Sequence, residues 1–210
     1  MVERAAAGGG KWVDVAPERL ARWVENFQRR HGTYREQGLT LIAADGASAE
    51  WQLPPGVEKA GTIAELIAEA QRPRRLGLLL ARKGAVAVGI ADGTELIKSK
   101  VDTHYVQGRT AAGGWSQQRF ARRRDNQAKA AAADGAGIVG RLLLPDVRSL
   151  AALVTGGDRA AVEAVLAGPQ LAPVAAVRVE RFLDVPEPRH AVLVSAIARA
   201  RAVSVLVREP

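Results

Sequence analysis

Residues 108–124 read Gly108-Arg109-Thr110-Ala111-Ala112-Gly113-Gly114-Trp115-Ser116-Gln117-Gln118-Arg119-Phe120-Ala121-Arg122-Arg123-Arg124. A loop ending in paired glycines runs here into a helix start loaded with cations. Gly113 and Gly114 open backbone conformations closed to other residues and let the chain approach a crowded partner closely. Ser116 is a good N-cap, and the free N–H groups of a first turn, with the positive end of the helix dipole, favour anions. Arg119, Arg122, Arg123 and Asn126 recur at helical spacing, which suits tracking a phosphate backbone. A Gly-Gly pair by itself marks only a turn, so the weight rests on the whole string.

The charge around it is uneven. The 210-residue chain has 30 Lys+Arg against 22 Asp+Glu, a net +8. From Lys98 to Lys129 eight bases meet only Asp102 and Asp125, so +6 of the net charge sits in 32 residues. The Arg- and Ala-rich composition of a GC-rich gene would spread charge evenly, and this concentration points instead to a segment that faces nucleic acid. Arg109, Trp115, Arg119, Arg122, Arg123, Arg124 and Lys129 are its candidate RNA contacts. Cys is absent, which excludes disulfides, thiolate catalysis and Cys-based zinc sites. Three His residues (31, 104 and 190) give no His-rich metal site, so neither metal nor cofactor is expected. No apolar run reaches the ~18 residues of a membrane span, and the start MVERAAAGGGKW lacks the apolar core of a secretory signal. The expectation is a soluble cytoplasmic protein, without membrane contact, whose Ala/Gly leader is loose.

Upstream of the string, Leu20, Trp23, Val24 and Phe27 fall at i, i+3, i+4, i+7 and predict an amphipathic helix from about Pro17 to His31, stopped by Gly32. Residues 39–44 and 47–53 read as a β-hairpin around Asp45-Gly46, a pair suited to a tight I′ turn. Thr62-Ile-Ala-Glu65 is a capping box for a short helix to about Gln71. Pro73 then marks a boundary, giving an N-terminal helix and hairpin module at 1–73, whose Trp12, Trp23 and Trp51 are expected to pack it onto the main sheet. The second module, 74–210, opens with a meander: Leu76–Ala81, Ala85–Ala91 and a third strand to about Val106. Beyond the cationic helix, the glycines of Asp134-Gly135-Ala136-Gly137 predict a kink in a long helix. A strand at 149–154, a helix at 158–166, a strand at 174–182, a helix at 188–200 and a strand at 203–207 follow. The order predicts an α+β fold, a mixed β-sheet flanked by helices, behind the small N-terminal module.

The string Gly113-Gly114, Ser116, Arg119-Phe120-Ala121-Arg122 resembles the catalytic domain of the eukaryotic and archaeal class I peptide-release factors, in which a Gly-Gly-Gln loop precedes Ser and an Arg-Phe-Ala-Arg helix start. The likeness covers about residues 76–208, taking in the Asp92-Gly93 turn and Leu153-Val-Thr-Gly-Gly-Asp158. One position departs: Trp115 stands where those factors have Gln, and Gln117 and Gln118 come later. A displaced Gln marks the release-factor-like peptidyl-tRNA hydrolases of ribosome-associated quality control, and the string is most similar to their short actinobacterial branch, the VLRF proteins.

That resemblance implies hydrolysis of the ester joining a nascent peptide to tRNA, in the peptidyl-transferase centre of the large ribosomal subunit. The partners it implies are the ribosome, peptidyl-tRNA and rRNA, met by a monomer. Gly113, Gly114 and Ser116 would form the catalytic loop with Gln117 or Gln118. The ester is already activated, so placing water and reactants can supply roughly 7–11 kcal/mol of the barrier lowering. Backbone N–H groups near Trp115 and Ser116 would hold water or the developing oxyanion. Gln117 is the first candidate to position the water and Gln118 the second, and an amide that does not titrate predicts a shallow neutral pH profile. Trp115 either stacks on an RNA base or packs back onto its own domain. Two other readings stay open: a nuclease trimming the tRNA acceptor end, and a module that binds ribosome or RNA without catalysis. His104 reads as structural, Asp102 and Asp125 as ion-pair partners, and Gly156-Gly157-Asp158 as a plain strand-to-helix connection.

Overall fold

In the computed structural model the Ala/Gly leader is not loose. β1 (Val2–Ala5) pairs antiparallel with β2 (Lys11–Val15), and the glycines 8–10 supply the turn between them. The structure describes residues 2–82, 84–103 and 116–210, the side chains of 2 and 116–126 excepted. The chain divides into two units, Met1–Pro73 with Ala198–Pro210, and Arg74–Ile197.

In the first unit a 3-10 turn at Pro17–Arg19 leads into α1 (Leu20–His31), closed by Gly32 as the spacing predicts. β3 (Tyr34–Gln37), β4 (Thr40–Ala43) and β5 (Ser48–Trp51) form a meander, followed by α2 (Ile63–Gln71) with the Thr62 Oγ1 cap accepting the Glu65 N–H. The hairpin turn differs from the expected I′ type, because Asp45 does not take a positive φ. Ala43 and Ala47 close a three-residue loop in which Gly46 alone has φ +98°, and the Asp45 carboxylate accepts the Ala47 N–H at 3.0 Å. A short acidic side chain bonding two residues ahead makes this local turn without left-handed strain on Asp45.

The last strand, β11 (Val203–Arg208), lies in this unit, between β2 and β5. The six strands run β1-β2-β11-β5-β4-β3. By contacts residues 198–210 group with the first unit, and residues 203–207 lie in its sheet. Val203, Val205 and Val207 point to the core face and meet Val13, Val15, Ala49 and Trp51 there. Trp23 and Trp51 are likewise spent on the unit's own core, edge to face with centroids 5.2 Å apart.

In the second unit β6 (Arg75–Arg82), β7 (Ala85–Asp92) and β8 (Glu95–Thr103) form the expected antiparallel meander. α3 (Ser116–Leu142), β9 (Ala152–Gly157), α4 (Arg159–Leu166), α5 (Ala172–Ala176), β10 (Arg178–Leu183) and α6 (His190–Arg201) follow. The sheet order is β10-β9-β6-β7-β8, with β9 parallel to both β6 and β10. β6 and β7 are buried along almost their whole length, which is why they read as continuous apolar runs and not as alternation. Leu76, Leu78, Leu79 and Leu80 are at most 1% exposed, and each such burial contributes about 2 kcal/mol. The strand expected at 174–182 starts only at Arg178. Pro169 and Pro173 preset helical φ in the first turns of a 3-10 turn and of α5, so residues 172–176 coil before the chain extends.

Candidate functional site

Arg109, Gly113, Gly114, Trp115 and His104 lie in residues 104–115, outside the described residues. α3 begins at Ser116 itself. Gln117, Gln118 and Arg119 belong to its first turn, and Arg122, Arg123 and Arg124 follow in the second and third; their side chains lie outside the description. Lys129 is exposed further along the same helix. One element thus gathers the expected residues from Ser116 to Lys129 over ~20 Å, at 1.5 Å per residue.

What anchors this helix is its other half. Ala131, Gly135, Ile138 and Val139 are buried at i, i+4, i+7, i+8, against β7 and α4. The expected kink at Asp134-Gly135-Ala136-Gly137 is replaced by unbroken α-helix. Gly135 explains this: a Cβ there would come within 2.9 Å of Val165 Cγ2 and 3.1 Å of Val86 Cγ2. The missing side chain lets the helix pack closely on α4 and β7, and that packing offsets the ~1 kcal/mol a helical glycine costs. A rigid base therefore carries the cationic, glutamine-bearing end of α3.

A second group of cations flanks the anchored half. On β8, Lys98 and Lys100 oppose Ile90 and Val88, so the two-residue period puts them on the face that α3 covers. With Arg141 they line a groove of about 490 Å³, whose apolar side is Ile138, Leu142 and Pro145. Lys98 Nζ lies 2.5 Å from Asp146 Oδ2. Arg141 falls outside the basic stretch from Lys98 to Lys129. Its signal was the helical period that puts it three residues after Ile138, on a helix expected to kink before reaching it.

Two alternatives meet direct observations. The Asp158 carboxylate accepts the N–H groups of Ala160 and Ala161 at 2.9 and 3.3 Å, so α4's first turn is capped by its own chain, as a plain connection requires. Gly157, at φ +100°, carries the tight corner, and the Asp158 N–H donates to Ala81 O at 2.7 Å. Asp102 is half-buried on β8, two residues from Lys100, and has an interaction of its own. Among the described residues no helix is long and apolar enough to cross a membrane.

Among solved structures, the chain is similar to one described as an archaeal protein (10% identity, TM-score 0.42, covering 89% of this chain and 73% of that one). It is also similar to the archaeal translation termination factor aRF1 (12% identity, TM-score 0.40, 90% of this chain and 66% of that one). No curated protein matches. Residues 74–206 match the model of the family described as Actinobacteria/chloroflexi VLRF1 release factor, which takes in β6 to α6, the first four residues of β11 and the whole Gly-Gly string. The chain belongs to that release-factor family.

Proposed function

We propose that this protein is a ribosome-associated peptidyl-tRNA hydrolase that frees nascent peptides in stalled complexes. The observation that carries the reading is the Gly113-Gly114-Trp115-Ser116-Gln117-Gln118 string at the start of α3, in a chain of the release-factor family. Gly113 and Gly114 admit the loop to a pocket walled by RNA. Gln117, with Gln118 second, orients water on the ester carbonyl, and backbone N–H groups near Ser116 take the charge that develops on its oxygen. Arg109, Arg119, Arg122, Arg123, Arg124 and Lys129 grip rRNA or the tRNA acceptor end, with Trp115 stacked on a base.

Purified ribosomal complexes carrying labelled peptidyl-tRNA test this. Free peptide with intact tRNA is the expected product. Shortened tRNA assigns a nuclease instead, and binding without any product assigns a non-catalytic module.

A further inference from the structure

We propose that the groove between β8 and α3 is a docking surface for base-paired RNA, holding a stretch of ribosomal RNA beyond the one that receives the Gly-Gly string. The choice of ribosomal RNA rests on the function proposed above, while the groove and its chemistry stand without it. Of its lining, Ile138 is buried and Leu142 packs on the unit's own core. What the groove offers a partner is therefore chiefly charge, from Lys98, Lys100 and Arg141, with Pro145 beside them.

The three cations are not equivalent. The Lys98 ammonium lies 2.5 Å from Asp146, the one carboxylate among the described lining residues. Lys100 and Arg141 are exposed, and among the described residues neither has an ion pair or a side-chain hydrogen bond. Asp102 and Asp134, the next carboxylates along β8 and α3 toward the string, each have an interaction of their own. Three cations against one carboxylate leave the groove at +2, and that carboxylate is neutralised by Lys98 before a phosphate arrives.

Position selects RNA among polyanions. β8 ends at Thr103 and α3 starts at Ser116, so the groove's two walls are the two elements between which Gly113-Gly114 lies in sequence. Lys100 is three residues from the end of β8, ~10 Å at 3.3 Å per residue. Arg141 reaches back along α3, its Nη1 3.2 Å from where a Cβ on Gly137 would stand, one turn nearer the string. Gly135, closed against β7 and α4, fixes this helix to the sheet. A partner that takes the string thus meets Lys100 and Arg141 at a fixed offset, continuing the +6 between Lys98 and Lys129.

The lining then narrows the kind of RNA. Proteins hold single strands by stacking bases on aromatic rings, and no ring lines the groove among the described residues. Cations without rings grip phosphates and leave the bases paired with each other, as in the recognition of double-stranded RNA. An acidic peptide needs pockets for the buried anchors that carry most of its binding energy, and Ile138 and Leu142 are already spent on the core.

The full-length chain, titrated with a fluorescent twelve-base-pair RNA duplex and separately with purified ribosomes, tests this. Lys100→Glu with Arg141→Glu should weaken both at least tenfold and flatten the slope of log K against log salt by about 0.7–0.9 for each phosphate no longer neutralised. Arg22→Glu with Arg30→Glu, an equal charge change at exposed arginines of the first unit, should stay within twofold of wild type. The chain has no Cys, so Pro145→Cys can carry a single photo-crosslinker, which should label ribosomal RNA. Should the glutamate pair lower the unfolding midpoint, Lys100→Gln with Arg141→Gln repeats the titrations. Equal losses at both pairs of sites, no loss at Lys100 and Arg141, or tighter binding of a twelve-nucleotide oligouridylate or a polyglutamate peptide than of the duplex would each overturn the proposal. A chain that releases no peptide, yet loses ribosome affinity through Lys100 and Arg141, removes the hydrolase reading and keeps this one. Full peptide release with that affinity unmoved does the reverse.

Discussion

Gly156-Gly157 sits where β9 hands over to α4, and Gly113-Gly114 sits, in sequence, between β8 and α3. The first pair has a full account in packing. A Cβ on Gly156 would lie 2.6 Å from Leu183 O, and one on Gly157 2.3 Å from Ala81 O, at a φ of +100° that side chains rarely adopt. The neighbours of the second pair offer no such constraint in their composition: Arg109, Thr110, Ala111, Ala112, Trp115 and Ser116 contain no strand-like alternation to bury. The proposed function gives the second pair to a partner, and what separates that role from a fold role is whether activity or stability falls when a methyl group is added.

That comparison breaks most sharply on a pair of substitutions. Gly114→Ala should cut peptide release from ribosomal complexes more than 100-fold, since ~1 Å of misplacement costs that much. Its thermal midpoint should stay at the wild-type value, with ribosome binding retained. Gly157→Ala should cost about 2–4 kcal/mol, combining backbone strain with backbone overlap, and lower the midpoint by roughly 5–15 °C. A Gly114→Ala protein that melts as early as Gly157→Ala would assign both pairs to the fold.

The glycines of α3 sharpen it further, because they divide within one helix. Gly135→Val has no room against Val165 and Val86, and should cost about 1–3 kcal/mol in denaturant unfolding. Gly137 meets only the flexible guanidinium end of Arg141, 3.2 Å from a built Cβ. Gly137→Ala should therefore raise stability by up to ~1 kcal/mol through helix propensity.

How much of this was legible in sequence depends on which force sets each element. The heptad-like spacing of Leu20, Trp23, Val24 and Phe27 gave α1 with its glycine stop, and unbroken apolar runs gave β6 and β7, because solvent alone decides such patterns. β1 and β2 form a local hairpin, but β2 is held in the sheet by β11, almost two hundred residues along the chain, and that support is invisible in the local sequence. Local composition around Gly8-Gly9-Gly10 reads as slack until that strand is supplied. The same long-range pairing moved residues 198–210 out of the second unit. Within the site, the spacing predicted that residues 116–129 share one helix, which α3 provides, while the Lys98, Lys100 and Arg141 groove needed that helix to run past Gly135 without a kink, which close packing explains.

Cations at the start of α3 should have a smaller, graded effect. Arg122→Ala with Arg123→Ala should weaken ribosome binding and reduce its salt slope by about 0.7–0.9 for each phosphate no longer gripped, leaving the release rate at saturation near wild type. A lower saturating rate with unchanged affinity would move these residues from gripping RNA to shaping the reacting end.

The mildest effect belongs to the first unit, where a single carboxylate joins the hairpin to α1. Asp45 Oδ1 accepts the Ala47 N–H at 3.0 Å, and Oδ2 lies 2.9 Å from His31 Nδ1 at the end of α1. The backbone N–H first, and the imidazole second, hold the Asp45 carboxyl below its ordinary value of 3.8. A carboxyl lowered on folding adds stability above its unfolded pKa and loses it as pH falls through the lower, folded value. The wild-type midpoint should therefore decline as pH drops from about 4 toward 2, with Asp45 supplying part of the decline. Asp45→Asn keeps a turn-forming oxygen but no charge, so it should start slightly lower at neutral pH and converge on wild type in acid. Parallel curves across the whole range would show that the turn, and not the charge facing His31, carries what Asp45 contributes.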